Sequence, residues 1–455
     1  MSKLYFEKAL LSSGWAANVA LEIDASGTIE AVTPDAPGAA GQAKGIALPG
    51  VPNVHSHAFQ RAMVGLTEQA DPAGDSFWTW RDVMYRFANR IGPEDLEAIA
   101  AQLYVEMLKG GYTAVGEFHY LHHMPGGAPY ANRTELSDRI VAAARAVGIA
   151  ITHLPVFYRF SGFGEIPALS EQSRFVQSPD DYLAIIANLL NQYEREPNVR
   201  IGVAPHSLRA VSEADLHHVL TGVAQMDETV PIHIHIAEQQ KEVDECIAWS
   251  GAHPVAWLLN HFDVDSRWCL VHATHMDDRE TAALAATGAA VGLCPTTEAN
   301  LGDGIFPART YLDCNGSFGI GSDSNVSVSP TEELRLLEYG KRLKRKRRNV
   351  LADGPGRSTG RGLFSRATSG GAHALGLNAG VIAPGARADM VVLDPEHPRL
   401  TGRKDDAILD AWIFASAGNP VRDVYVGGKK VIEDGHHANE GAIAATFRDA
   451  ISRLT

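Results

Sequence analysis

The sequence predicts an α/β fold: a (β/α)₈ TIM barrel, with further strand-and-turn segments at both chain ends. Eight short apolar runs rich in β-formers occur at 46–55, 112–120, 148–159, 199–207, 231–237, 268–275, 289–295 and 317–324. Helical stretches separate most of them. Near-continuous apolar runs imply strands covered on both faces, and intervening helices imply a parallel sheet. Eight such units suit a closed barrel. A doubly wound open sheet usually offers a Gly-rich phosphate loop after its first strand, and none follows the first run here.

Taken in order, residues 3–47 read as short strands and turns, with a hairpin over 19–32 turning at Ala25-Ser26-Gly27. A helix is expected over 93–109, where Pro93 suits the first turn and Gly110-Gly111 the stop. Further helices are expected at about 136–146, 179–196, 212–225, 239–250 and 277–287. Two long stretches after strands read as loops able to act as lids. One is 59–91, with Phe77, Trp78, Trp80 and Tyr85; the other is 160–178, rich in Gly and Ser. Residues 341–348, KRLKRKRR, carry seven basic residues in eight, after a helix with Glu332, Glu333 and Glu338. Positive charge at a helix C-terminus complements the macrodipole, so this run reads as a solvated helix end rather than a nucleic-acid patch. Short strands around Gly turns return at 381–394 and 421–435.

Composition narrows the function classes. With 40 basic and 54 acidic residues the formal charge is −14, which argues against a nucleic-acid partner. An anionic substrate would need a local basic cluster. Cys246, Cys269, Cys294 and Cys314 lie at least 20 residues apart, so neither a disulfide framework nor a thiolate metal knot is expected. The N-terminus lacks the apolar core of a signal peptide, and no apolar run approaches membrane-spanning length. A cytoplasmic protein without membrane contact is the expectation.

The chemistry collects at strand ends, where barrel loops begin. His55 and His57 sit two apart at the end of the first run, and side chains at i and i+2 of a strand share a face. The second run ends in Glu117, His119 and Tyr120; the fourth in His206, Ser207, Leu208 and Arg209. The fifth offers His233, His235 and then Glu238, the sixth His272 and His275, and the eighth Asp323. Leaving so many polar groups unpaired in a barrel mouth would be costly. Three histidines and an aspartate suit Zn²⁺ or Fe²⁺.

The ordered motifs LPGVPNVHSHAFQRA (48–62), HIHIAE (233–238), LVHATH (270–275) and GIGSDSN (319–325) resemble the amidohydrolase superfamily, in particular its cytosine-deaminase-like deaminases. GVIAPGARADM (380–390) resembles that superfamily's C-terminal strand region. The resemblance implies a barrel over 48–379 and a small, β-sandwich-like domain built from 1–47 and 380–440, with 441–455 as a terminal helix or tail. It implies that His55, His57, His235 and Asp323 bind one divalent metal, that His272 polarises water or substrate, and that Glu238 shuttles protons. Binuclear relatives use a carboxylated lysine on strand four; none occurs between Val199 and Ala210, so a single metal is expected. A bound divalent metal lowers the pKa of water from about 16 to about 7, and Asp323 or His272 is then available to take its proton.

Loop segments narrow the resemblance to the branch that deiminates N-formimino-L-glutamate to N-formyl-L-glutamate and ammonia. They are HSHAFQRA, FWTWRDVMY (77–85), EFHYLHH (117–123), APHSLRA (204–210) and CPTTEANLGDG (294–304). That resemblance implies that Gln60, Arg81, Tyr120, His206 and Arg209 hold a dicarboxylate, the two arginines through charge-assisted pairs. A homodimer is expected, as is common among relatives. The competing readings are a deaminase of a purine, pyrimidine or triazine-like ring, a barrel scaffold without activity, and a nucleic-acid binder through 341–348.

Overall fold

The computed structural model describes residues 2–36, 45–68, 77–415 and 418–455; the side chains of 77–79, Phe77 and Trp78 among them, lie outside the description. Each of the eight expected runs contributes to one parallel ring. Its strands are Val51–Ser56, Tyr112–His119, Ala150–Phe157, an interrupted fourth (Val199–Ile201 and Ala204–Pro205), Ile232–Ile236, Trp268–His272, Ala290–Leu293 and Ser317–Ile320. The eighth pairs with the first through Ile320 and Asn53, and bridges Val203–Ile232 and Ser207–His235 join fourth to fifth. The ring is closed: a TIM barrel.

The first run divides where the sequence showed one strand. Ile46–Pro49 pairs with Ser2–Leu11 on one side and Met390–Leu393 on the other, while Val51–Ser56 enters the barrel. Both halves are buried on both faces, so apolar patterning could not place the break. Gly50 makes the crossing, because a Cβ there would lie 2.3 Å from Thr113 Oγ1. The second sheet joins both chain ends in the order Lys429–Ile432, Val421–Val426, Met390–Leu393, Ile46–Pro49, Ser2–Leu11, Gly14–Ile23, Ile29–Thr33. Phe6, Val19, Leu21, Met390 and Tyr425 form its apolar core.

Helices fall close to the expected ranges: Pro93–Gly110, Glu135–Val147, Pro179–Tyr193, Glu213–Met226, Gln240–Ser250 and Asp278–Ala286. Ser178, Ser212 and Asp277 cap three of them. The terminal helix Glu440–Leu454 docks on Pro93–Gly110 through Lys109–Glu440 (2.8 Å) and Arg453–Asp95 (2.5 Å). Helix Thr359–Ala374 crosses the eighth strand so closely that a Cβ on Gly370 would sit 2.1 Å from the Phe318 carbonyl oxygen. Gly370→Ala is therefore expected to cost about 1–3 kcal/mol through overpacking. The check is a lowered Tm with kcat retained; an unchanged Tm would mean the helix moves off freely.

Neither expected lid is a plain loop. The described part of 59–91 contains a 3₁₀ turn, Ala58–Met63, and an α-helix, Phe77–Ala88, that brings Trp80, Arg81, Met84 and Tyr85 over the barrel mouth. Residues 160–178 hold a small hairpin, Phe160–Gly162 with Ile166–Pro167, and a 3₁₀ turn at Ser170–Gln172. The basic run ends the helix Pro330–Arg345, yet Lys341 is buried, so the run is not wholly a solvated end. No helix among the described residues is long and apolar enough to cross a membrane.

Candidate metal centre and active site

His55 and His57 leave the first strand with their Nε2 atoms 3.1 Å apart, and His235 Nε2 of the fifth strand lies 3.0 Å from that of His55. Asp323 Oδ1, beyond the eighth strand, stands 3.5 Å from His55 Nε2 and 3.3 Å from His57 Nε2. His57 Nδ1 donates to the Phe118 carbonyl (2.8 Å) and His235 Nδ1 to the His206 carbonyl (3.1 Å). A carbonyl only accepts, so both rings turn an unprotonated Nε2 toward the same point. Lone pairs that converge on a carboxylate need a cation between them. Ligands about 2.0–2.2 Å from a tetrahedral ion stand roughly 3.3–3.5 Å from each other, close to the spacing seen. The donor set fits one divalent metal ion.

Electrostatics agree. Burial, then the neighbouring His55, pushes His57 down to about 3, and His55 is lowered by burial, so these rings are neutral ligands. Burial works to raise Asp323, but His55, His272 and His57 overcome it and keep the carboxylate ionised. Asn53 and Asn325 fix the frame. Asn53 Nδ2 donates to Ser322 Oγ (2.7 Å), which donates to Asn325 Oδ1 (2.6 Å); Asn325 Nδ2 donates to the carbonyls of His57 (3.1 Å) and Asp323 (2.9 Å). A Cβ on Gly321 would lie 2.8 Å from the His55 carbonyl oxygen, so glycine lets the two strand ends close on each other. His272 (φ 70°) and Asp323 (φ 46°) are held in left-handed backbone, a cost of about 1–3 kcal/mol each that the surrounding frame sustains.

Beside this centre lie the acid–base groups. His272 Nε2 stands 3.8 Å from Glu238 Oε1 and 3.7 Å from Asp323 Oδ2, and its Nδ1 is 3.3 Å from Glu298 Oε1. Burial opposes charge on His272, but Glu238, Glu298 and Asp323 outweigh it and raise its pKa to about 10. Burial lifts Glu238 to about 7 against the pull of His272. Asp303 completes a group with Glu238 and His272 and accepts from Gln239 Nε2; burial, then Glu238, pushes it to about 9. Glu298 and Asp303 were invisible to a reading of strand ends, because both lie in the 294–304 segment without a diagnostic spacing.

The cavity above the metal centre is lined by all five residues expected to hold substrate, Gln60, Arg81, Tyr120, His206 and Arg209, together with Tyr85 and Tyr158. Gln60 Nε2 donates to Tyr120 OH (2.9 Å), leaving its buried Oε1 without a partner. Arg81 stacks over Tyr85 at 5.4 Å. Burial lowers His206 well below its ordinary value. Arg209 is 8 % exposed and its Nε has no partner; burial works against its charge, yet Glu242, Tyr158 and Glu238 more than offset this. Other polar strand-end residues face elsewhere. Glu117 accepts from Ala58 N (2.6 Å) and Tyr104 OH (3.2 Å), bracing the turn after His57. His119 packs against His122 and His153, and His233 Nε2 meets the Ala374 carbonyl at 2.8 Å, deep in the barrel.

Comparison with known proteins adds an independent line. The Amidohydrolase family profile matches residues 46–431, and the profile of the Formimidoylglutamate deiminase HutF N-terminal domain matches 1–45. The chain is 51 % identical to formimidoylglutamate deiminase of Pseudomonas aeruginosa, covering 100 % of both. It is 29 % identical to a 5-methylthioadenosine/S-adenosylhomocysteine deaminase of Natronomonas pharaonis over 86 % of this chain and 82 % of that protein. The crystal structure of an amidohydrolase from Brucella melitensis superposes with TM-score 0.95 at 48 % identity, covering 100 % of both chains. An adenosine deaminase from Xanthomonas campestris with bound zinc shares the fold, with TM-score 0.81 at 24 % identity over 99 % and 98 %. Matches that run from the first strand through the composite sheet account for the entire architecture, and the chain belongs to the amidohydrolase family.

Proposed function

We propose that the protein hydrolyses N-formimino-L-glutamate to N-formyl-L-glutamate and ammonia in histidine degradation, with one Zn²⁺ held by His55, His57, His235 and Asp323. The observation that carries the substrate is Arg209: a buried guanidinium, making no ion pair with any described residue, in one cavity with Arg81. In a chain of net charge −14, two arginines facing a metal centre suit a substrate that brings its own carboxylates. The full-length likeness to formimidoylglutamate deiminase supports the same reading.

A divalent ion in this centre supplies Lewis-acid activation of water and of the formimino group. The chain's own residues do the rest. Arg209 and Arg81 bind the carboxylates, and Gln60, Tyr120 and His206 orient the formimino end. The carboxylates of Glu238, Glu298 and Asp323 favour the protonated form of His272, and Asp323, held well below the usual carboxylate range, is a weak base. Glu238, with a pKa near 7, is matched to both halves of the transfer. Its carboxylate takes a proton from the attacking water and passes it to the =NH nitrogen, giving –NH2 on a tetrahedral carbon. It then takes the proton of the new C–OH and passes it to that –NH2, so the C–N bond breaks, neutral ammonia leaves and the formyl C=O forms.

The test is ammonia release over a panel of formiminoglutamate, formiminoaspartate, guanine and cytosine. Formiminoglutamate is expected to be preferred, and turnover of a ring base in its place would overturn the reading. Arg209→Gln should lower kcat/KM for formiminoglutamate by about tenfold to a hundredfold, the worth of a charge-assisted contact. An unchanged kcat/KM would sink the carboxylate clamp.

A further inference from the structure

The basic run at 341–348 has no part in this chemistry, and one of its members is placed unlike a surface lysine. Lys341 is 5 % exposed and makes no hydrogen bond or ion pair with any described residue. It lines a cavity of about 510 Å³ between helix Pro330–Arg345, the end of the sixth strand and the segment 304–310. Arg309, Lys344 and Arg345 line the same cavity, as does Thr274, whose buried Oγ1 has no partner. Asp278 is the one carboxylate in the described wall, and it is exposed. Arg309 is paired with Asp313 (2.5 Å) and Glu298 acts on Lys341 from outside the wall, which leaves Lys344 and Arg345 as the cations of the wall in excess. None of these residues lines the substrate cavity.

The helix macrodipole accounts for exposed cations in the last turn such as Lys344 and Arg345. It does not account for a lysine whose side chain is largely buried while its ammonium opens on the cavity among like charges, an arrangement that an anion beside it would relieve. Burial, then Lys344 and Arg345, bring the Lys341 pKa down to about 8, which registers that strain. We propose that this cavity is a second binding site, for a small multivalent oxyanion of phosphate or polycarboxylate type, held by Lys341, Lys344 and Arg345. The site backs onto the active site. Thr274 and His275 lie two and three residues after His272, and His275 Nε2 bonds the Asp303 carbonyl at 2.8 Å.

Isothermal titration calorimetry on the metal-loaded full chain, with inorganic phosphate or citrate at constant ionic strength, tests this. Saturable binding of at least one is expected, and the tighter of the two identifies the ligand as phosphate-type or polycarboxylate-type. Arg209→Gln should bind that anion as tightly as wild type, which separates the site from the substrate cavity. Lys341→Met should weaken it by about tenfold to a hundredfold, with deiminase activity retained. Because methionine keeps the buried stem and removes only a charge crowded by Lys344 and Arg345, the variant should fold about as stably as wild type. Lys344→Ser with Arg345→Ser, both on the exposed helix end, should weaken binding without touching the interior. Absence of saturable heat with either anion, loss of binding in Arg209→Gln, or undiminished binding in the Lys341 and Lys344/Arg345 variants would overturn the proposal.

Discussion

Asp323→Ala is expected to yield a folded barrel that holds its divalent ion far more weakly and has lost about a thousandfold or more in kcat/KM. Asp323 is the anionic member of the donor set: the three imidazoles are neutral, and two have their Nδ1 protons fixed on backbone carbonyls. Without its carboxylate the site keeps only three neutral nitrogens, which hold a dication more weakly and leave less of the Lewis-acid contribution of several kcal/mol; each 1.36 kcal/mol is about tenfold in rate. Metal content by mass spectrometry and ammonia release should fall together. Chelated wild-type protein should reproduce the defect, and added Zn²⁺ or Fe²⁺ should restore wild type but not the variant. Wild-type Tm should also drop on chelation, since an ion present at a thousandfold excess over its Kd stabilises the native state by about 4 kcal/mol. A variant that kept stoichiometric metal and a near-native rate would remove Asp323 from the centre.

What the sequence disclosed and what it hid follow one physical rule. Elements whose partners are fixed by covering both faces of a strand were legible: all eight barrel strands, and helices such as Pro93–Gly110 with its proline start and left-handed Gly111. Period-two geometry put His233 and His235 on one face, with His233 two residues deeper. The structure places His235 in the mouth and His233 against Ala374, one strand repeat below. Three things were not legible. The crossing at Gly50 depends on which neighbour each half of an apolar run pairs with. The helix Phe77–Ala88 was masked by aromatic residues that also suit a loop. Glu298, Asp303 and Lys341 owe their roles to burial beside groups far away in sequence, such as His272 and Glu238 for Asp303. Strand-end reading finds what points into the mouth. It does not find what stands behind it.

Glu238→Gln should keep the metal and the substrate affinity while kcat falls by about 10²–10⁴-fold, the usual worth of a positioned general acid–base group. The substitution preserves shape and removes only the ability to carry a proton. Neighbouring carboxylates favour the protonated form of His272, and Asp323 is held well below the usual carboxylate range, so both are weaker bases than Glu238. The pH profile gives the sharper test. Glu238 must begin as carboxylate to take the proton of water, so wild-type kcat/KM should rise with pH through an acidic limb. Burial sets that limb near 7, and a dication beside the carboxylate draws it lower, because opposite charge favours the ionised form. Stability carries the same signature with the opposite sign. A carboxyl raised from its ordinary 4.5 to about 7 holds a proton in the folded chain that the unfolded chain has released, so this group's contribution to stability declines as pH climbs from about 4.5 to 7. Glu238→Gln should abolish the kinetic limb and flatten that part of the stability profile together. A variant that kept the limb would move the proton transfer to another residue, with Asp303, the raised carboxyl grouped with Glu238, the first to replace.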